Sequence, residues 1–384
     1  MVKRVLSKAI LKHGKKFPVI SLTGPRQSGK STLLQNLFPD YTYINLEDAD
    51  IRLYAQEDPK DFLRGQGPKL IIDEVQRVPV LFNYLQGIVD KAKKNGEYIL
   101  SGSQNFLMME NITQTLAGRV AIFKLLPFSY SEVSELRNKP KNAAEAIYKG
   151  FYPRLYDKKI DPDFFYQNYI ETYIERDLRS LKNIGDLNAF TRFLKLCAGR
   201  TGQILNLQSL ALDAGISQPT AKNWLSLLEA SYIVFQLPSY SVNVNKRLIK
   251  SPKLYFYDTG VACHLLGIKN ASQTDTHYLK GALFENLVIA EMYKSKLNKG
   301  IEPDYHFYRD SNQNEIDLLW QEGNKLNKAE IKYSATLRPE FAHVMTKLKV
   351  QKILKDGKQF IFMNQTENKK WMGADVKDWR ELDF

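Results

Sequence analysis

The chain has only two cysteines in 384 residues, Cys197 and Cys263, and neither sits in a CxxC pair. Two thiols build no disulfide framework, so the composition points to a reducing compartment, the cytoplasm. Histidine is as sparse: five residues, with no HExxH and no zinc-ligand spacing. No run of about 18 apolar residues occurs, so neither a membrane-spanning helix nor a membrane partner is expected. The first 17 residues, MVKRVLSKAILKHGKKF, carry Lys8 inside their only apolar stretch and offer no small-residue cleavage site. They read as a short amphipathic helix on Val5, Leu6, Ala9 and Ile10, not as a signal peptide. Internal repeats and low-complexity linkers are absent as well. Negative charge is the minority: 42 Asp and Glu against 55 Lys and Arg give a net charge of +13. That excess serves solubility or an anionic partner, and its position along the chain decides between them.

What is present is ample apolar sequence, 43% of residues, in a length that suggests two or three domains at roughly 150 residues each. The first 130 residues alternate short apolar runs with helical stretches. Strand-like runs fall at 18–22, 41–46, 70–72, 98–100 and 120–125, and a helix is expected from Ser31 to Phe38. Strands separated by helices imply crossover connections and a parallel sheet covered on both faces. Beyond Pro127 the texture becomes helical, from 141 to 200. A small helical unit and a β-hairpin follow to about 258, then a helix from about 278 and short strands around Tyr305, Ile316 and Ala329. The division expected is 1–135, 136–260 and 261–384.

Gly24-Pro25-Arg26-Gln27-Ser28-Gly29-Lys30-Ser31 fits G-x-x-x-x-G-K-[ST], follows a strand and opens a helix that continues through Thr32. Glycines let successive N–H groups curl around phosphate oxygens, and the helix N-terminus adds a positive dipole end. Lys30 then reaches the β- and γ-phosphates of ATP, and the Ser31 hydroxyl ligates Mg²⁺. Lys69-Leu70-Ile71-Ile72-Asp73-Glu74 supplies the second half of such a site. Asp73 would hold Mg²⁺ through water, and Glu74 would polarise the attacking water. A third strand ends in Ser101-Gly102-Ser103-Gln104, whose polar side chains, Ser103 above all, can touch the γ-phosphate or the water. Arg119 is a candidate arginine finger, with Arg176 as its rival; each can equally serve a surface role.

GPRQSGKS, KLIIDEVQ, ILSGSQ, LAGRV and LPFSYSE together resemble the N-terminal domain of a bacterial and archaeal family of AAA-type P-loop ATPases. That family is similar to the STAND branch of signalling ATPases. GFYPRLY, TYIERDL, KLYFYDTG and GALFENLV resemble the C-terminal region of unknown function that normally follows in it. The resemblance implies ATP and Mg²⁺ as cofactors and a sheet in which the sensor strand lies between the phosphate-loop strand and the Asp73 strand.

The middle of the chain reads as a winged helix. Residues 207–211 form a short amphipathic helix, Gly215 offers a positive φ for a tight turn, and Ser217 caps a second helix that runs to Ala230. Gln218, Thr220, Lys222 and Asn223 would face a DNA groove. A basic hairpin with Asn243, Asn245, Lys246, Arg247, Lys250 and Lys253 would meet the phosphate backbone. The plain alternative is a docking module with a solvated basic face.

The C-terminal part carries Glu285 in a helix, Asp317 at the end of a strand and Glu330-Ile331-Lys332 in another. In a strand, i and i+2 share a face, so Glu330 and Lys332 point the same way with Ile331 behind them. The set, with Tyr308-Arg309-Asp310 before it, resembles the PD-(D/E)xK nuclease superfamily. Carried over, Asp317 and Glu330 are metal ligands, Glu285 an accessory acid and Lys332 the residue that stabilises the attacking water or the transition state. The fold class expected is therefore α/β: a P-loop parallel-sheet domain, a helical and winged-helix segment, and an α/β restriction-endonuclease-like domain. Two functions stay open. One is an ATPase that binds DNA and processes it. The other is a nucleotide-gated switch with an inactive nuclease-like domain. A homo-oligomer is compatible with both.

Overall fold

Val19–Thr23 (β1) is buried at all five positions, as a strand covered on both faces must be. It lies in the first of two units into which the chain divides: Met1–Phe128 with the stretches Ala230–Tyr232 and Lys296–Glu302, and then the remainder. The computed structural model describes residues 2–103, 112, 114–173, 185–240, 251–347, 355–365 and 367–382.

In the first unit β1 joins Thr42–Asn45 (β2), Leu70–Asp73 (β3), Tyr98–Gly102 (β4) and Val120–Lys124 (β5). All neighbours are parallel and the order is β2-β3-β4-β1-β5. The sensor strand β4 thus lies between β1 and β3, as the resemblance implies. The period-2 alternation of a strand splits the apolar runs between two cores. Leu70 and Ile72 face one core with Phe62, Phe82 and Leu85 of the helices Pro59–Gln66 and Val80–Ala92. Ile71, Ile20 and Leu22 face the other, with Leu6 and Ile10 of Leu6–His13 and Leu34 of Lys30–Leu37. Asp48 and Asp58 cap the helices Ala49–Glu57 and Pro59–Gln66 by accepting backbone N–H bonds, with Pro59 pre-set for the first turn.

The second unit opens with helices, among them Ala143–Lys149, Pro162–Tyr169 and Leu187–Gly199. Leu207–Ala214 ends at Gly215, whose φ of +71° makes the tight turn. Ser217 then caps Gln218–Ala230 by accepting the Thr220 N–H at 3.2 Å. Val234–Leu237 (β6) pairs antiparallel with Lys253–Phe256 (β7). After the helices Thr259–Leu265 and Lys280–Asn298 comes a six-stranded mixed sheet. Tyr305–Arg309 (β8), Glu315–Glu322 (β9) and Lys325–Lys332 (β10) are successive antiparallel neighbours. A helix, Glu340–Lys347, leads to Lys355–Met363 (β11), which runs parallel to β10. Lys369–Trp371 (β12) and Ala374–Asp378 (β13) complete the order β12-β13-β11-β10-β9-β8. Asp317 is the third residue of β9, not the end of a strand, because the apolar run Leu318-Leu319-Trp320 carries the strand onward.

Gly150 shows how tightly the helical part is closed. It ends Ala143–Lys149 at φ +61°, and a Cβ there would lie 2.1 Å from the Tyr166 hydroxyl and 2.2 Å from Asp258 Oδ1. Those atoms are committed: Asp258 accepts from Tyr166 (2.7 Å), Phe151 N–H (2.7 Å) and Gly260 N–H (3.0 Å). Burial raises the Asp258 pKa, and Lys294 and these donors oppose the rise. Gly150→Ala is expected to destabilise the protein by about 3 kcal/mol, overpacking and left-handed strain together, read as a lower urea midpoint.

Candidate active sites

Parallel strands deliver their carboxyl ends to one edge of a sheet, and the first unit builds its site there. Gly24 follows β1, Asp73 ends β3 and Ser103 follows β4. Gly24 has φ +153°, and a Cβ would lie 2.1 Å from the Leu125 carbonyl oxygen, so only glycine lets the loop start here. Gly29 (φ +91°) and Gln27 (φ +62°) are also left-handed. Arg4 braces the loop from outside, its guanidinium donating to Ser28 O (2.8 Å) and Leu126 O (2.7 Å). Pro25 and Ser28 are buried, while Gln27 and Thr32 are exposed. Arg26 reaches Glu47 at 3.1 Å.

Lys30 is buried, and its ammonium donates to the carbonyls of Gly24 (3.0 Å) and Pro25 (3.1 Å). Burial lowers its pKa, against the nearby charges of Glu74 and Asp73. The Ser31 hydroxyl donates to Asp73 Oδ2 at 2.5 Å, and the Tyr43 hydroxyl donates to the same oxygen at 2.6 Å. Burial and that bond push the Tyr43 pKa up. Glu74 stands at φ +53°, with Oε2 accepting from Gln76 Nε2 (2.5 Å) and from the Ser103 hydroxyl (3.0 Å). The strand-end acids, the sensor serine and the helix serine therefore meet at one edge. Tyr43, which sequence reasoning missed, joins them because β2 neighbours β3, a fact of topology. Tyr232 was missed too; its hydroxyl lies 2.6 Å from Thr23 Oγ1 at the end of β1.

Arg119 does not join this site. It precedes β5, at the amino edge of the sheet, and its guanidinium is paired with Asp90 at 2.5 and 3.0 Å. Strand direction places it opposite the phosphate loop, so within one chain it is not a finger. Gln104 and Arg176 lie outside the described residues.

A second cluster forms in the second unit. Lys332 Nζ lies 2.6 Å from Glu330 Oε2 and 3.1 Å from Asp317 Oδ2. Asp317 Oδ2 also accepts the Ile331 N–H at 2.8 Å. The three residues converge as their strand positions predict, although Asp317 sits early in its strand. Burial alone would raise the Asp317 pKa, but the charges of Lys332 and Lys253 and the Ile331 N–H hold it down. Burial, then the Asp317 charge, pushes Glu330 well up. Glu285 takes a neighbouring place, accepting from Lys253 Nζ (2.9 Å) and the Tyr255 hydroxyl (2.5 Å). Lys253 also reaches Glu315 at 2.6 Å.

Lys253 corrects the hairpin expectation. It is 2% exposed and faces three carboxylates, so it cannot contact a phosphate backbone. The signal was available: Lys253 heads the continuous apolar run Leu254-Tyr255-Phe256, which marks a strand buried on both faces. Lys246, Arg247 and Lys250, with Asn243 and Asn245, lie outside the described residues. Gln218, Lys222 and Asn223 are exposed on the first turns of their helix. The Thr220 hydroxyl lies 2.7 Å from Ser217 Oγ, within the cap.

Both acidic sites offer oxygen donors only, the set that Mg²⁺ prefers. Ser31 Oγ and Asp73 Oδ2 meet at 2.5 Å, which fits a shared Mg²⁺. Asp317 and Glu330 meet around one ammonium and fit a divalent ion in charge and donor type. Among the described residues no group of three or more His, Cys, Asp or Glu side chains forms a metal cage. Nor is any of their helices long and apolar enough to cross a membrane.

Comparisons with known proteins agree with the first site. Residues 16–134 match the AAA domain. Residues 140–272 and 280–380 match two domains of unknown function, DUF8612 and DUF4143. An uncharacterized protein of Mycobacterium tuberculosis is 29% identical over 325 residues, covering 83% of this chain and 71% of its own. An uncharacterized protein of Haemophilus influenzae is 21% identical over 385 residues, covering 90% of each. Among solved structures, the Walker-type ATPase of Pyrococcus abyssi is 15% identical with a TM-score of 0.45, over 69% of this chain and 96% of that one. Phosphate loop, sheet and AAA match together make the first unit a nucleotide-binding P-loop domain of the AAA ATPase type.

Proposed function

We propose that the protein is an Mg²⁺-dependent ATPase that binds DNA and processes it with a nuclease-like C-terminal domain. The observation that carries this reading is the convergence of Asp317, Glu330 and Lys332 in a chain that also has a complete phosphate-loop site. At the first site Lys30 and the loop N–H groups neutralise the β- and γ-phosphate charge. Glu74 takes the proton of the attacking water as the O–P bond forms and the β,γ-bridging bond breaks, and Ser103 orients that carboxylate. Ser31, and Asp73 through water, would hold Mg²⁺, which when bound would neutralise charge on the phosphates.

At the second site the order is helix with Glu285, antiparallel β8-β9-β10, helix, then parallel β11. That order supports a restriction-endonuclease-like fold. Asp317 and Glu330 would hold the divalent ion, which when bound would supply Lewis acidity at the scissile phosphate. Lys332 neutralises charge on the scissile phosphate, and Glu285 is an accessory acid. The helix Gln218–Ala230, through Gln218, Lys222 and Asn223, is the winged-helix face toward a DNA groove. The domain division 1–135, 136–260 and 261–384 belongs to the same reading, as does a cytoplasmic home. So does a homo-oligomer, in which Arg119 of one copy could serve another.

One observation favours the alternative of a nucleotide-gated switch: each carboxylate of the second cluster is already ion-paired with a lysine, Asp317 and Glu330 with Lys332 and Glu285 with Lys253. An ATPase assay and a plasmid-cleavage assay on one preparation, with and without Mg²⁺ and with and without DNA, separate the two. The proposed enzyme hydrolyses ATP faster with DNA present and nicks the plasmid; the switch hydrolyses ATP and leaves the plasmid intact. Lys30→Ala is expected to weaken ATP binding at least about 10-fold, since a charge-assisted bond to phosphate is worth ~1.5–3 kcal/mol. Titration calorimetry with ATP checks it.

A further inference from the structure

A cavity of about 850 Å³ lies in the second unit, between the helix Leu187–Gly199, the loop that leaves it and Tyr278. Its polar lining includes Arg192, Lys195, Arg200, Gln203 and Asn206, and among the described residues no carboxylate lines it. Arg200 is spoken for by Asp213, with which it forms an ion pair. Arg192 and Lys195 are exposed, and among the described residues no hydrogen bond or ion pair engages either. Tyr278 is 82% exposed, its ring stacked at 4.6 Å on His277, so one aromatic face is presented to solvent at the rim of a cationic hollow.

We infer that this cavity is a binding site for single-stranded nucleic acid, with Arg192 and Lys195 on the phosphates and Tyr278 stacked on a base. The inference rests on the nucleic-acid reading above and moves its main contact away from the hairpin. Cations that track a backbone beside an aromatic platform are what a single strand needs, and such stacking tolerates any base. A free nucleotide has the same chemistry, phosphate plus planar ring, but small-ligand sites bury most of their ligand. Here the two cations and the ring stand in solvent, which suits a polymer crossing the surface.

The cavity also adjoins the carboxylate–lysine cluster. Gln203 O accepts the Leu254 N–H at 3.2 Å, and Ile204 makes a β-bridge with Lys253. Lys253 in turn holds Glu285 and Glu315. The floor of the cavity and the second cluster therefore share β7, and a strand held on Arg192 and Lys195 lies beside the residues that would process it.

The test is fluorescence anisotropy of the full-length protein with a labelled single-stranded oligonucleotide, its duplex, and unlabelled ATP and AMP as competitors. The substituted side chains, Arg192, Lys195, Lys222 and Tyr278, are all exposed, and circular dichroism confirms folding. Arg192→Glu/Lys195→Glu is expected to weaken single-strand binding at least about 10-fold and to flatten the slope of log K against log salt by about 1.4, or 0.7 per phosphate contact. Tyr278→Ala should weaken it by about 5–100-fold, as the loss of one stacked base predicts. Single-strand binding at wild-type affinity and slope in the double variant, with loss on Lys222→Glu instead, overturns the cavity site and keeps the DNA reading. No binding of any nucleic acid by the wild-type protein overturns both. Displacement of the oligonucleotide by AMP at equimolar concentration overturns the strand in favour of a free nucleotide.

Discussion

Glu74→Gln is expected to slow ATP turnover by about 10²–10⁴-fold, the usual contribution of a general base, while ATP affinity stays within a few fold. The reason is geometric. Glu74 lies one residue beyond β3 at the edge that carries the phosphate loop, and its Oε2 already accepts from Ser103 (3.0 Å) and Gln76 (2.5 Å). An amide keeps the size of the carboxylate but cannot take the proton of the attacking water. In the proposed site the phosphates would be held by Lys30 and the loop N–H groups, which the substitution does not touch. Single-turnover hydrolysis beside a binding titration separates the two effects. Turnover at the wild-type rate would remove Glu74 from the role of base and leave Asp73 or Ser103 to be tried.

Asp317→Asn is expected to abolish metal-dependent DNA nicking and to leave ATPase activity unchanged. Asparagine retains an oxygen that can accept the Ile331 N–H, now bound at 2.8 Å, so the strand pairing of β9 and β10 survives. What disappears is one of the two negative charges that converge on Lys332 and would hold the divalent ion. Asp317→Ala goes further. It removes that acceptor from a buried N–H and one of the two carboxylates that pair with the part-exposed Lys332, at a cost in stability of about 1–3 kcal/mol. Lys332→Ala should keep metal binding and lose the chemistry, because it is no ligand. Nicking assays with Mn²⁺, paired with a metal titration of each variant, distinguish these outcomes. A wild-type protein that binds no divalent ion through Asp317 and cuts nothing would place the switch first.

Much of the first site was legible because it is local. The glycines, Lys30 and Ser31 are within eight residues, and the strand, loop and helix around them follow from one apolar run and one helical stretch. Asp73 and Glu74 were readable for a related reason: an apolar run that ends in acids puts them at a strand tip, and parallel strands bring their tips to one edge. The Glu330–Lys332 pair was readable from the period of two in a strand. The strands β11, β12 and β13 were not anticipated. Lys355–Met363 opens with two lysines, an aspartate and a glycine ahead of its apolar residues, which blurs the pattern.

The sequence by itself determined the phosphate loop, the identity of its lysine and serine, and the facing of Glu330 and Lys332. Each depends on residues a few positions apart, whose relative placement the backbone dihedrals set. Only the tertiary structure decided that Tyr43 hydrogen-bonds Asp73, that Arg119 lies at the far edge of its sheet, and that Lys253 is buried among carboxylates and not on a basic wing. Those facts depend on which strands become neighbours and which face of a strand is covered. Crossover connections and packing, not local propensity, set both. A lysine beside three carboxylates and a lysine in water have the same letter in the sequence. The charges brought within 4 Å of it by distant segments make the difference.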